Sequence, residues 1–154
     1  MKVLATLAVM GLVAVGSLAM SASASSATYC HGLKATMTGT SGSDHLVGTN
    51  HRDVIVARRG DDEIRSRGGR DVICAGRGED DVVAGTRGDR VYGGRGHDKL
   101  LGGGAADRLV GDQGPDELVG WRGNDFLRGG SGVDEGFGGP GADTCLSIEF
   151  DHSC

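Results

Sequence analysis

Three stretches of this chain, GGRGHDKLL (residues 93–101), GDQGPDELV (111–119) and GWRGNDFLR (120–128), are copies of one nine-residue unit. The same unit can be written from residue 39 to residue 146 as twelve consecutive copies, without an insertion or a deletion. Self-similarity at a fixed short period is the signature of a repeat architecture, in which neighbouring units stack on one another. The period therefore decides the fold, and we number the units 1 to 12 from residue 39.

The sixth place of the unit is the most regular, because it is aspartate in all twelve copies. The fourth place is glycine in nine units, and the eighth place is leucine, isoleucine or valine in ten. An aspartate at every ninth position over this length is not a chance pattern. The sixth-place aspartates are Asp44, Asp53, Asp62, Asp71, Asp80, Asp89, Asp98, Asp107, Asp116, Asp125, Asp134 and Asp143.

Each unit predicts a tight turn followed by a short strand. Glycine at the first, second and fourth places can adopt the positive φ angles that tight turns need. The last three places have an aliphatic residue in the middle and form a minimal strand whose eighth-place side chain points to one side. Two units per circuit would give an all-β solenoid with two parallel sheets of six strands each and the aliphatic side chains between them. Residue n would then be the neighbour of residue n+18.

This geometry would stack the aspartates in two columns, which requires a positive charge between them. Asp44 would lie beside Asp62 on one edge and Asp53 beside Asp71 on the other, and each such pair repels by on the order of 1 kcal/mol even in water. Carboxylates and turn carbonyls are hard oxygen ligands in a flexible loop, which suits calcium better than magnesium. The sequence has no cysteine and histidine cluster with zinc spacing. We therefore expect calcium ions between successive turns, and we expect their binding to supply stability that the thin core lacks.

The composition agrees with a repeat fold and excludes several other classes. Of the 154 residues 30 are glycine and only 4% are aromatic, which leaves too few large side chains for an ordinary enzyme core. The glycines do not recur at every third residue, which excludes collagen. Acidic and basic residues are interleaved and the net charge is −5, so nucleic acid is not expected as a partner.

The segment 1–24 has the pattern of a secretory signal peptide. Lys2 precedes an uncharged run over residues 3–20, and the small residues around Ala24 are typical of a cleavage site. We predict cleavage after Ala24 or Ala27; the alternative is an uncleaved membrane anchor, for which the run is marginally short. After removal of this segment the chain is expected to be secreted and extracellular, with no membrane association, in a compartment that permits disulfides.

The units resemble the glycine-aspartate nonapeptide GGxGxDxUx of RTX (repeats-in-toxin) proteins, also called the hemolysin-type calcium-binding repeat. The best copies are GGRGHDKLL, GGSGVDEGF and GGPGADTCL, and the resemblance covers residues 39–146. It implies a right-handed parallel β-roll of about twelve repeats with short caps at residues 25–38 and 147–154. It also implies that each Ca²⁺ lies between units n and n+2, bound by both aspartates and by backbone carbonyls, which allows at most ten ions. A bacterial origin is implied in the same way.

Several turns depart from this pattern. Arginines stand where small residues are typical at Arg58, Arg59, Arg67 and Arg87. Positive φ is unfavourable for residues other than glycine, and a nearby guanidinium group competes with an ion. We therefore expect calcium most firmly from Asp98 to Asp143, and partial replacement of the ions by Arg–Asp pairs from Asp53 to Asp89.

The four cysteines fit the two caps. Four cysteines allow three disulfide connectivities. Cys145 and Cys154 both belong to the C-terminal end, whereas a bond from Cys30 to Cys145 would span most of the roll. We predict the disulfides Cys30–Cys74 and Cys145–Cys154, each holding an end that would otherwise fray as an open sheet edge.

The ninth place would point outward and is apolar in ten units, counting Cys74. The β propensity of short stacked strands explains this pattern, and the alternative is an exposed apolar stripe that binds a partner. The other nine residues are Val47, Val56, Val83, Tyr92, Leu101, Val110, Val119, Phe137 and Leu146.

Two functions are compatible with these patterns. The first is a secreted calcium-binding β-roll whose folding is coupled to ion loading. The second is an extracellular structural or adhesive module that binds an envelope polymer or protein through its repetitive sheet faces or its arginine-bearing turns. An enzyme is not expected, because the histidines have no serine or cysteine partner at a fixed offset. These histidines are His31, His45, His51, His97 and His152.

Overall fold

The computed structural model describes residues 28–154, so the expected signal peptide lies outside the described residues. This part of the chain has sixteen β-strands and no helix, and therefore no helix that could cross a membrane. Strands β1 (Tyr29–Cys30) and β2 (Leu33–Lys34) form a small antiparallel hairpin. The other fourteen strands form two parallel sheets, which confirms the all-β solenoid.

The two sheets take alternate units. We call the sheet that carries the eighth place of the even-numbered units the even sheet, and the other the odd sheet. The even sheet contains β3 (Met37–Thr38), β5 (Val54–Arg59), β7 (Val72–Arg77), β9 (Arg90–Arg95), β11 (Arg108–Gln113), β13 (Phe126–Ser131) and β15 (Thr144–Leu146). The odd sheet contains β4 (His45–Val47), β6 (Glu63–Arg65), β8 (Asp81–Gly85), β10 (Lys99–Gly104), β12 (Glu117–Arg122), β14 (Glu135–Phe137) and β16 (Phe150–His152).

Each sheet has seven strands, and the expectation of six was wrong. Strand β3 lies in the expected N-terminal cap and pairs with β5, while β16 lies in the expected C-terminal cap and pairs with β14. The repeat count missed them because it included only complete nonapeptides, whereas a rung needs only two or three extended residues. The caps therefore continue the sheets.

The register joins positions two units apart in both sheets, as the repeat predicts. Arg108 pairs with Arg90 in one neighbouring strand and with Phe126 in the other. The first-place residues Ala57 and Ala75 are buried in the same core as the eighth-place residues. Nine eighth-place side chains are fully buried between the sheets: Ile55, Ile64, Ile73, Val82, Val91, Leu100, Leu109, Leu118 and Leu127.

The core is completed at its C-terminal end by a residue outside the repeat. Gly136 occupies an eighth place and has no side chain to contribute. Ile148 packs against the core, and a Cβ built at Gly136 would lie 2.5 Å from Cδ1 of Ile148. The side chain of Ile148 thus fills the space that the glycine leaves.

The N-terminal hairpin lies on the outer face of the even sheet. Cys30 and Leu33 pack in one cluster with Val56 and Tyr92. The disulfide Cys30–Cys74, with its Cα atoms 5.8 Å apart, holds the hairpin there. The connectivity is as predicted, but the disulfide fixes the cap to the face of the sheet rather than only to its end. Part of the outward apolar pattern at the ninth place is therefore explained by a covering segment of the same chain.

The odd sheet keeps its outer face uncovered by the hairpin. Its ninth-place residues Val83, Leu101 and Val119 are half-buried, and Phe137 is exposed. The second disulfide, Cys145–Cys154, joins β15 to the end of the chain with its Cα atoms 5.9 Å apart, as predicted.

Candidate metal centre

The turns lie on two edges of the roll, and each edge carries one column of sixth-place aspartates. A turn leads from the even sheet to the odd sheet in every odd-numbered unit, and back again in every even-numbered unit. The odd edge carries Asp44, Asp62, Asp80, Asp98, Asp116 and Asp134. The even edge carries Asp53, Asp71, Asp89, Asp107, Asp125 and Asp143.

Backbone hydrogen bonds connect the aspartates within each column. The N–H of Asp80, for example, donates to Oδ1 of Asp98 over 3.0 Å, and that of Asp98 donates to Oδ1 of Asp116 over 2.9 Å. All ten pairs of aspartates two units apart are connected in this way, with distances of 2.7 to 3.0 Å. The structure thus brings together the residues of units n and n+2, which is the arrangement expected of a shared ion.

The second carboxylate oxygen is buried without a partner in nine of the twelve aspartates. Its solvent-accessible area is below 1 Å², and no hydrogen-bond donor among residues 28–154 reaches it. A buried oxygen of a charged group that lacks a partner is costly, and native structures avoid it unless an ion or water satisfies the group. These Oδ2 atoms belong to Asp62, Asp71, Asp80, Asp89, Asp98, Asp107, Asp116, Asp125 and Asp134.

Burial raises the pKa of these carboxyl groups, most strongly in the middle of the roll. Loss of solvation is the main cause; the hydrogen bond from the preceding turn lowers the pKa, and neighbouring carboxylates raise it again. The pKa rises to about 7 for Asp89, Asp98 and Asp107 and to about 6 for Asp80 and Asp116. At neutral pH these groups need a proton or a cation.

Backbone carbonyls of the turns point along the same columns. A Cβ built at Gly96 would overlap the carbonyl oxygen of Gly78, and one built at Gly114 would overlap that of Gly96. Glycine at the fourth place therefore leaves room beside a carbonyl oxygen of the preceding turn on the same edge. The turns offer hard oxygen donors from the backbone as well as from the aspartates.

Side chains alone do not form a complete cation cage. Within residues 28–154 three potential ligand side chains converge only at Cys145, Asp151 and Cys154, and the two cysteines are joined by a disulfide. Each turn instead combines two aspartates with carbonyl oxygens. This donor set fits calcium, which takes six to eight oxygen ligands, and does not fit zinc.

The first two turns are closed by a threonine. Oδ2 of Asp44 accepts hydrogen bonds from the N–H of Thr40 over 2.6 Å and from its hydroxyl over 3.1 Å. Oδ2 of Asp53 accepts the same pair from Thr49, over 2.7 and 3.0 Å. Threonine at the second place therefore supplies the donors that the nine other carboxylates lack. The sequence contains this signal in GTSGSD and GTNHRD, although the repeat pattern alone does not give it a role.

The last turn of the odd edge is completed by a glutamate. The N–H of Asp134 donates to Oε2 of Glu149 over 2.8 Å. Glu149 thus stands where the next aspartate of the column would be. Its position in the chain falls short of the two-unit step of the column, so it could not be found from the period.

The expected pairing of arginine with the sixth-place aspartates is not present. None of the ion pairs among residues 28–154 joins an arginine to one of them. Arg58 donates to the Thr28 hydroxyl instead. Arg58 and Arg67 do adopt positive φ, 89° and 74°, as most residues at the second place do, whereas Arg87 does not.

A model of the RTX calcium-binding nonapeptide repeat matches the chain in four copies. The copies cover residues 38–73, 47–82, 83–118 and 110–145. They span the whole series of turns described above. No curated protein and no solved structure matches the chain significantly.

Proposed function

Because this chain belongs to the family with the RTX calcium-binding nonapeptide repeat, we propose that it is a secreted protein whose folding is completed by the calcium ions it binds. The ions would lie between turns of units n and n+2 on the two edges. The residues that would hold them are the sixth-place aspartates and the carbonyls of the glycine-rich turns. The calcium ion supplies the positive charge that the two carboxylate columns lack.

The unpartnered Oδ2 atoms carry this proposal. Nine buried carboxylate oxygens stand in register along two edges, and no group among residues 28–154 satisfies them. The first two turns support the same conclusion. There Thr40 and Thr49 donate hydrogen bonds to Oδ2 of the aspartate, so that this oxygen does not need an ion. We therefore expect ions between neighbouring turns of one edge whose Oδ2 atoms are both open, and weaker or no binding where Thr40 or Thr49 closes one of the two turns.

Secretion is proposed from the N-terminal pattern and agrees with the two disulfides. Disulfides persist in oxidising compartments outside the cytosol. Extracellular calcium modules bind with dissociation constants of about 10⁻⁴ to 10⁻³ M. A chain that needs such concentrations would remain incompletely folded inside the cell and complete its fold after export. We propose a binding role and no catalytic one, in an extracellular bacterial setting.

The test is a calcium titration of the chain that begins at Ser25, followed by far-UV circular dichroism and calorimetry. Asp80→Asn and Asp81→Asn form a matched pair, because the residues are adjacent and lose the same charge. Asp80 is 2% exposed with an unpartnered Oδ2, whereas Asp81 is exposed on the outer face of β8. We expect Asp80→Asn to remove ions from the titration and Asp81→Asn to leave the number of bound ions unchanged.

Two results would contradict the proposal. One is a circular dichroism spectrum and a melting temperature that are the same in chelator and in millimolar calcium. The other is equal loss of bound calcium in the two variants, which would assign the binding to general surface charge.

The adhesive function is a second candidate, and the position of the hairpin limits which sheet face a partner could use. The N-terminal hairpin covers part of the even sheet, so that a partner binding to a sheet face would use the odd sheet. The arginines of the even-numbered units offer a more specific surface for binding an envelope polymer.

A further inference from the structure

Acidic and basic residues are distributed differently in the odd-numbered and the even-numbered units. The six odd-numbered units contain thirteen acidic and six basic residues, whereas the six even-numbered units contain six acidic and eight basic residues. In the even-numbered units the sixth-place aspartate is the only acidic residue. Since alternate units turn at opposite edges, the even edge has a basic surface around its aspartate column.

A cleft of about 580 Å³ lies on this basic edge. Arg52 and Arg70 line it from the fifth place of units 2 and 4, and Arg90 and Arg108 line it from the seventh place of units 6 and 8. We call it the arginine cleft. Its remaining lining includes Gly88, Ala105, Ala106 and the aspartates Asp71, Asp89 and Asp107.

Small residues open this cleft. The fifth place is arginine in units 2 and 4 but Gly88 and Ala106 in units 6 and 8. The two short residues leave space between one pair of arginines and the other. Arg90 and Arg108 are register partners in adjacent strands, so their backbones are about 4.8 Å apart.

The arginines of the cleft have no acidic partner. None of the four is in an ion pair or donates a side-chain hydrogen bond among residues 28–154. Arg52, Arg70 and Arg90 are exposed, and the guanidinium of Arg108 lies 4.1 Å from the centre of the Phe126 ring. Guanidinium groups recognise carboxylates by paired hydrogen bonds, so these four groups are free to bind an anionic ligand.

We propose that the arginine cleft binds a linear polymer of carboxylated sugars, and that it does so when calcium occupies the even edge. Such a polymer carries one carboxylate on each ring, and the length of one ring is close to the strand spacing. Arginines on successive rungs can therefore pair with carboxylates of successive sugars. Four arginines in a groove favour a repeated anion over a single one.

The calcium dependence rests on the function proposed above. Asp71, Asp89 and Asp107 lie in the same cleft. Without calcium the negative charges of these aspartates oppose the binding of a polyanion. With calcium those charges are neutralised and the arginine charges remain. Ion loading would thus convert the even edge from a mixed surface to a positive one.

The test measures binding of short oligogalacturonates, too short to gel with calcium, at fixed free calcium. The cleft variant Arg70→Gln/Arg90→Gln/Arg108→Gln is compared with Arg59→Gln/Arg77→Gln/Arg95→Gln. The control loses the same charge from three exposed arginines that are register partners beside the odd edge. We expect the cleft variant to bind at least about tenfold more weakly and the control to bind as the original chain does.

Separate measurements distinguish failure of this inference from failure of the calcium proposal. Calcium-dependent folding is followed by circular dichroism on the same samples. If folding responds to calcium but both variants bind the oligogalacturonate equally, the arginine cleft is not the site. Equal binding in chelator would overturn the calcium dependence. Equal or tighter binding of a short DNA duplex would overturn the assignment to carboxylated sugars, and a neutral galactose oligomer is expected not to bind.

Discussion

The N-terminal and C-terminal halves of the roll have the same turns but are held in different ways. In units 1 to 6 (residues 39–92) the hairpin packs on the even-sheet strands and is joined to them by Cys30–Cys74. The first two turns of this half are closed by Thr40 and Thr49. Units 7 to 12 (residues 93–146) have one disulfide, at their far end.

The first place of the unit differs between units 3 to 6 and units 7 to 12, whereas units 1 and 2 have glycine there as units 7 to 12 do. Ala57, Ala75 and Ala84 add buried methyl groups to the core of units 3, 5 and 6. Units 7 to 12 all have glycine there, and a Cβ at Gly111 would overlap Oδ2 of Asp116. Glycine at the first place therefore leaves space for the carboxylate, but it lacks the buried methyl group that alanine adds to the core. One turn geometry can therefore be stabilised by the chain itself or left to an ion.

Removal of calcium should have the largest effect and should separate the halves most clearly. We expect amide exchange in β10 to β15 to be about 100-fold faster or more in chelator than in millimolar calcium, since two ions at about ten times their dissociation constants together stabilise by that factor. Strands β5 and β7 should keep most of their protection because the hairpin and a disulfide hold them. Hydrogen exchange with mass spectrometry makes the measurement. Equal acceleration in both halves would show that they do not differ.

Loss of the N-terminal disulfide should make the halves alike. The bond Cys30–Cys74 closes a separation of 44 residues and Cys145–Cys154 one of 9. On chain-entropy grounds their removal should cost about 4 and about 2.5 kcal/mol. We expect Cys30→Ser/Cys74→Ser to lower the urea midpoint of the calcium-free protein more than Cys145→Ser/Cys154→Ser does. The reverse order would contradict the claim that the N-terminal half is the more self-sufficient.

A change of pH should alter the stability of the middle of the roll, which includes turns of both halves. The pKa of Asp89, Asp98 and Asp107 is about 7 in the folded chain against an ordinary value of 3.8. The folded state therefore holds more protons than the unfolded state between these values, so stability is lost as pH rises through about 7. Without calcium we expect the melting temperature to fall by at least about 10 °C between pH 4.5 and 8, because each unit of raised pKa is equivalent to about 1.4 kcal/mol of stability.

Calcium is the control for that series. A bound cation favours the charged carboxylates, so millimolar calcium should remove the fall. A melting temperature that rises with pH in chelator would contradict the raised pKa values.

The threonine turns should give the smallest effect. Thr49→Val removes a hydroxyl that donates to Oδ2 of Asp53 and accepts from the N–H of His51, at 3.0 and 3.1 Å. We expect a loss of about 1 kcal/mol in chelator by urea denaturation. The exposed Thr86, whose side chain makes no hydrogen bond among residues 28–154, is the matched control as Thr86→Val. Rescue of Thr49→Val by calcium would show that this turn binds an ion after all.

The period predicts most of the fold, because each side chain at the eighth place meets its equivalent two units away. The aspartate columns follow from the same register, and so do the disulfides. The features that the period does not predict lie at the ends of the roll, where the repeats stop. Ile148 replaces the missing side chain of Gly136, and Glu149 replaces a missing aspartate, from positions that no repeat defines. Their roles depend on where the chain returns after the last turn.

The hairpin was missed for a related reason. Its contacts join Cys30 and Leu33 to residues of three different units, and no local pattern indicates which sheet face it will cover. The threonine turns are different, since their signal is local. Thr40 and Thr49 occupy a position that is glycine in many other units. Their hydroxyl groups donate hydrogen bonds to the aspartates in place of an ion.

The alternation of units between two edges also limits how such a chain can lengthen. Duplication of one nonapeptide would move every later unit to the opposite edge and would place Arg90 and Arg108 among the acidic turns. Duplication of two consecutive nonapeptides would leave each later side chain on its own edge. The structural unit of this roll is therefore a pair of repeats, although the sequence displays a period of nine.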